Sequence, residues 1–248
     1  MSRVLHSLLM LLLLCVPALR AQETSDVRLA DGFDLPVGLD GAKKYYKARG
    51  YRPNGHLGED WNGAGGGDTD LGDPVTAAGH GIVVFAEDYK VGWGNVVIIR
   101  HAYLEEGGLK FVDSLYGHLN EIKTTLGEQV TRGELIGTIG SNRGMYPAHL
   151  HFEMRKDLRV GMFRSSFPRD FSVYWDPTQF IAQRRVLDHG GGRLVAVPIK
   201  TFPEVAPPIV AETTLPADAP ARGVGTSSFL RRIPQLPDKY QDLRGKGY

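Results

Sequence analysis

NVVIIRHAY, residues 95–103, decides the fold. Val96 to Ile99 are four consecutive β-branched apolar residues with no polar alternation. That pattern fits a strand covered on both faces. Similar short runs lie on either side of it: GIVVFAE (81–87), KFVDSLYGHL (110–119), ELIGTIG (134–140) and AHLHFEMR (148–155). Their length, β-branched content and glycine punctuation favour strands over helices. The expected fold is mainly β, one all-β or mostly-β domain over residues 30–185. Two helix candidates remain. One is GAKKYYKA (41–48). The other is DPTQFIAQRR (176–185), where Asp176 caps and Pro177 takes the first helical position.

Composition bounds the function. The 248 residues suffice for one domain plus processing segments and tails. A net charge of +1 gives no reason to expect nucleic acid as a partner. At the N-terminus, Arg3 and His6 precede the apolar run LLMLLLLCV (8–16), and small residues follow at Ala18 and Ala21. This is the layout of a secretory signal peptide, residues 1–21, cleaved after Ala18 or Ala21. The run is too short to span a bilayer comfortably, so no stable membrane span is expected after cleavage. The expected location is therefore outside the cytoplasm, periplasmic or extracellular. Cys15 is the only cysteine, and it leaves with the signal. A metal site in the mature chain would need His, Asp and Glu as ligands.

Residues 22–29 read as a linker. After Arg185 the character changes again: GGG (190–192) leads into a stretch with eight of the fifteen prolines, Pro198 to Pro237. The expectation for 186–248 is a proline-rich, largely disordered tail. LVAVPI (194–199) could add an edge strand, but composition favours plain extension.

The chemistry lies in the histidines. In PAHLHFE (147–153), His149 and His151 flank Leu150, so on a strand both imidazoles take one face and Leu150 the other. His56 lies in NGHLGEDWNG with Asp60 four residues on, and the surrounding glycines and Pro53 argue for a loop or strand end rather than a helix. Glu59 is a second carboxylate beside Asp60. HxxxD alone is weak evidence. His56, Asp60 and one histidine of HLH together give two imidazoles and a carboxylate, with a fourth tetrahedral position for water, as a catalytic Zn²⁺ requires. Such a site lowers the pKa of bound water toward about 7. The other HLH histidine, roughly 6–7 Å along the same face, is placed to accept its proton. YGHL (116–119) adds His118 as a donor to a developing oxyanion, with Tyr116 on the same strand face as a phenolic donor or groove residue. Periodicity does not choose which HLH histidine binds metal.

Other features read blandly. His80, His101 and His189 are taken as surface or satisfied core residues. DTDLGD (68–73) lacks the spacing of a calcium loop and reads as a solvated turn. Trp61, Trp93 and Trp175 read as packing residues.

HLGED (56–60), GWGNVVIIRH (92–101), YGHL (116–119), VTRGELIGTIG (130–140) and HLHFE (149–153) stand in the order found in lysostaphin-like, LytM-type zinc metallopeptidases. The chain resembles that family over about residues 30–183. The resemblance implies a single, mostly antiparallel β-sheet domain with a narrow active-site groove, and hydrolysis of peptide bonds in bacterial peptidoglycan. It implies His56, Asp60 and His151 as zinc ligands, with His118 stabilising the transition state and His149 acting as general base. Some relatives have lost these residues and only activate cell-wall amidases; this sequence keeps all five. It departs from many relatives in AGGGDTDLGD (64–73) and in its tail. Two rivals are a non-catalytic activator or binding protein of the same fold, and a non-haem iron oxygenase. The second would leave YGHL and one HLH histidine without a role.

Overall fold

The computed structural model describes residues 23–90, 92–162, 168–188 and 192–203. The expected signal peptide (1–21), His189 and the expected tail beyond 203 lie outside the described residues. The elements in chain order are β1 (Thr24–Arg28), a π-helical turn (Gly38–Ala42), β2 (Tyr45–Arg49), β3 (Glu59–Gly63), β4 (Pro74–Thr76), β5 (Gly81–Asp88) and β6 (Asn95–Glu105). They continue with β7 (Gly108–Leu119), β8 (Gln129–Val130), β9 (Leu135–Thr138), β10 (Leu150–Arg155), β11 (Tyr174–Trp175), α1 (Pro177–Gln183) and β12 (Leu194–Pro198).

The fold is mainly β. β2-β3-β10-β7-β6-β5-β8 form one antiparallel sheet, with β11 paired to β10; β4–β9 and β1–β12 are separate two-stranded ribbons. The β6–β7 hairpin closes through Glu106–Gly107, both with positive φ (53° and 74°), which is the twist a two-residue type I′ loop requires. β6 is covered on both faces, as its unbroken apolar run predicts. Val97 and Ile99 join one core with Tyr116, Leu150, Phe152 and Phe180. Val96 and Ile98 join the other with Leu115, Trp93, Val27, Leu29 and Val197.

That second core corrects two expectations. The residues read as a linker form β1, and LVAVP forms its partner β12, in the register Val27↔Val195 and Ser25↔Val197. Val27, Leu29 and Val197 are fully buried, so burial of three aliphatic side chains outweighs the extended character of the local sequence. Arg100 fastens the ribbon. Its guanidinium is fully buried, grips Asp113 at 2.7 Å through both Nε and Nη2, and donates to the carbonyls of Pro198 and Leu158. The helix expected over 41–48 is also absent. A π turn ends at Ala42, and Tyr45–Arg49 is drawn into the sheet by pairing with β3. The second helix forms as expected: Asp176 Oδ1 accepts from Gln179 N at 2.8 Å, and Pro177 opens the helix.

Candidate metal centre and active site

The centre is built where β3, β10 and β7 meet. His151 pairs with Asp60 on one side and Gly117 on the other, and cross-strand partners share a face. The missing side chain at Gly117 lets the Trp93 ring pack in over His151, since a Cβ there would meet that ring at 3.3 Å. His56 arrives from a loop bridged to Arg52. Gly58 allows this close crossing, because a Cβ there would meet the Phe152 carbonyl oxygen at 2.3 Å. Leu150 turns to the opposite face and is fully buried, as alternation requires.

Asp60 Oδ1 lies 3.0 Å from His56 Nε2 and 2.9 Å from His151 Nδ1, and those two nitrogens are 3.1 Å apart. A tetrahedral zinc with bonds of about 2.0 Å would need donor edges of roughly 3.3 Å, so this triangle is close to the required size. The remaining nitrogens fix the tautomers. His56 Nδ1 donates to the Gly50 carbonyl at 3.1 Å, and His151 Nε2 donates to Glu153 Oε1 at 2.9 Å. Each ring thus presents its other nitrogen to the centre, the carbonyl or carboxylate backing that metal-ligating histidines normally have. Glu153 is itself held by Arg155 at 2.8 Å. Burial opposes ionisation of Asp60, but the imidazoles of His151 and His56 against it outweigh that and keep the carboxyl well below the usual range. Burial also disfavours the His151 cation, yet Asp60 and Glu153 together raise its pKa. The donors present therefore suit a divalent cation. Among the described residues, they are the only cluster of three or more such side chains with converging ligand atoms. Glu59 is excluded: it faces away, bonded to Lys47, Trp61 and Thr178.

His118 and His149 stand beside this triangle with ring centroids 4.9 Å apart, and His149 Nε2 is 3.8 Å from Asp60 Oδ1. Both are anchored the same way. His118 Nδ1 donates to the Trp93 carbonyl at 3.1 Å, and His149 Nδ1 to the Pro147 carbonyl at 2.7 Å. Each Nε2 is then a lone pair. Burial depresses both pKa values, that of His118 to about 3, with His151 and His149 adding to the effect. A neutral imidazole tied in this way accepts a proton; His118 donates from Nε2 only once it is doubly protonated.

The expected partnership of Tyr116 with His118 is corrected. Asn95 pairs with Leu119 but Val97 with Tyr116, so β7 holds one extra residue there. His118 sits at φ 61°. The bulge turns His118 onto the His151 face. Tyr116 stays on the Phe152 face, fully buried, its hydroxyl 2.8 Å from Ala78 N and 2.9 Å from Ser114 Oγ. It lines no groove. Trp93 does belong at the site, stacked on His118 and edge-on to His151 at 5.4 Å. Tyr146 is 5.0 Å from His118 by ring centroid. Glu153 was legible in principle, two strand positions after His151. Nothing in the sequence pattern marked Tyr146. The acidic turn is only partly solvated: Asp70 is buried and accepts from Gly63 N, while Asp68 accepts from Ala148 N at 2.7 Å.

Residues 55–161 match the model of peptidase family M23, and the chain belongs to that family. It is 33% identical to the DD-carboxypeptidase/endopeptidase Mpg of Neisseria meningitidis over 129 residues, 52% of this chain but only 28% of that protein. It is 36% identical to the lipoprotein NlpD of Yersinia enterocolitica over 86 residues, 34% of this chain and 78% of that one. Among solved structures, the antimicrobial peptidase lysostaphin of Staphylococcus simulans aligns at 28% identity, covering 56% of this chain and 50% of that one, with a TM-score of 0.39. Among the described residues no helix is long and apolar enough to cross a membrane.

Proposed function

We propose that the protein is an exported, zinc-dependent endopeptidase that hydrolyses peptide bonds in bacterial peptidoglycan. The observation that carries this reading is the convergence of five polar side chains in two sets: three donors closing a metal-sized triangle, and two neutral imidazoles beside it with free Nε2 lone pairs. His56, Asp60 and His151 would hold the zinc. Bound there, zinc supplies Lewis acidity for the scissile carbonyl and lowers the pKa of an attacking water. His149 Nε2, on the Asp60 side, takes the proton of that water. The cation so formed is stabilised by Asp60 and can return the proton to the leaving amine. His118, buried against Trp93, faces the developing oxyanion. It is neutral at rest; negative charge developing beside it raises its proton affinity, so it stabilises the oxyanion after taking up a proton from solvent at Nε2, its Nδ1–H being committed to the Trp93 carbonyl.

Family membership supports the peptidase class, and relatives named as peptidoglycan DD-endopeptidases support the substrate. The similarity to NlpD lipoproteins favours one alternative, a non-catalytic activator with this fold. The complete donor set and both imidazoles weigh toward catalysis. Digestion of purified peptidoglycan with and without a chelator, followed by mass analysis, tests the reading. Soluble fragments that vanish with chelation are expected. Intact sacculi with a metal-loaded sample would leave the activator reading, and iron rather than zinc in protein purified without added metal would revive the oxygenase.

A further inference from the structure

β2 is the edge strand beside the metal ligands, and its register breaks there. Tyr46 pairs with Asn62 and Lys47 with Trp61, but Arg49, not Ala48, stands opposite Asp60. One extra residue in β2 therefore puts a cation where regular pairing would put a methyl group, and bulges commonly re-aim side chains in this way. Arg49 Nη1 reaches Asp60 Oδ2 at 3.3 Å. The two carboxylate oxygens are thus divided: Oδ1 faces His56, His149 and His151, and Oδ2 faces Arg49.

The contact looks unlike a structural clamp. It is single and long, and the Arg49 side chain is 47% exposed while Asp60 is 7% exposed. Among the described residues, Asp60 is its one side-chain partner. The nearest cation along β2 is occupied: Lys47 holds Glu59 and Thr178 on the other face. A guanidinium has five N–H donors in a planar fork matched to a carboxylate. Among the described residues only Nη1 of that fork has a side-chain partner, Oδ2 of a candidate metal ligand.

We propose that Arg49 is a specificity residue that binds a free carboxylate of the substrate peptide within about one residue of the scissile bond, about 3.5 Å of chain. This deepens the peptidase reading and rests on it. It predicts preference for chains that end, or carry an acidic group, next to the cut, over bonds flanked only by amides.

The test uses the zinc-loaded full chain carrying His149→Ala, so that binding is read without turnover. Two probes, acetyl-L-lysyl-D-alanyl-D-alanine and its C-terminal amide, are titrated calorimetrically. The acid should bind about tenfold more tightly, a usual scale for one charge-assisted contact. The preference should vanish with Arg49→Gln and survive in part with Arg49→Lys, with zinc content equal throughout. Equal binding of acid and amide, an unchanged preference in Arg49→Gln, or binding of neither probe would overturn the proposal. Loss of zinc in Arg49→Gln would also overturn it, by showing that the residue acts only through Asp60. Digestion of whole peptidoglycan by the unsubstituted protein decides the peptidase reading separately, whatever these titrations give.

Discussion

Two groups of buried histidines lie on opposite sides of the same sheet, and they differ in what their second nitrogen does. In the core, His101 is fully buried. Its Nδ1 donates to the His80 carbonyl at 2.9 Å, its Nε2 meets Ser114 Oγ at 2.7 Å, and Ser114 leads on to Tyr116 and Ala78 N. Both nitrogens are satisfied within the protein, and the result is structural. At the site, His56, His118, His149 and His151 each have one nitrogen tied to a carbonyl or carboxylate, and the other turned toward a shared space. Burial alone does not separate the groups, since all five rings are largely removed from solvent. The tied nitrogen orients each ring, and the untied one makes it available for chemistry.

Removing the ligand should break this contrast most severely. His151→Ala deletes one of three donors and leaves Asp60 and Glu153 without the ring between them. Zinc content, measured by plasma emission, should fall close to zero and turnover to background. Retained zinc at full stoichiometry would remove His151 from the ligand set. His149→Ala comes next. Zinc should stay bound while kcat falls at least about a hundredfold, the usual range for loss of a general base. Undiminished turnover would assign the proton transfer to His118, whose ring is anchored in the same manner.

Tyr116→Phe sharpens the comparison from the core side. Its phenol belongs to the His101 network, so the variant leaves Ala78 N and Ser114 Oγ short of a partner in a dry interior. Stability by denaturant titration should drop by about 1–3 kcal/mol. Turnover should change by less than about twofold. A large loss of kcat at unchanged stability would return Tyr116 to the site.

The strands were legible because their apolar runs are short, β-branched and separated by glycine, and the unbroken run over 96–99 marked the strand buried on both faces. HLH gave its geometry directly, since strict alternation places His149, His151 and the buried Leu150. Three things were not fully legible, for two reasons. Tyr116 and His118 have the period-2 spacing that places residues on one face, yet the bulge in β7 separates them. Ala48 rather than Arg49 has the spacing to meet Asp60, yet the bulge in β2 reverses that. A bulge depends on how two distant strands pair, so local periodicity does not contain it. The β1–β12 ribbon was legible only as a possible edge strand over 194–199, because its two strands lie some 170 residues apart in a sequence that looks like linker and tail. Its stability comes from burial against β6 and from Arg100, neither of which local composition reports.

The smallest expected effect tests the core histidine by its charge. Burial pushes the His101 pKa down from 6.5 to about 4. In the unfolded chain the same imidazole titrates near 6.5. Between those values the unfolded state holds one more proton than the folded state, so stability falls as pH drops through that window and is independent of this group above it. From pH 7 to pH 5.5 the loss attributable to His101 should be about 1 kcal/mol. A His101→Gln variant, less stable at pH 7, should show a pH slope in that range shallower by about half a proton on average. An identical slope in both proteins would mean that His101 takes up its proton while folded, and the core network would then have to reorganise around an imidazolium between His80 and Ser114.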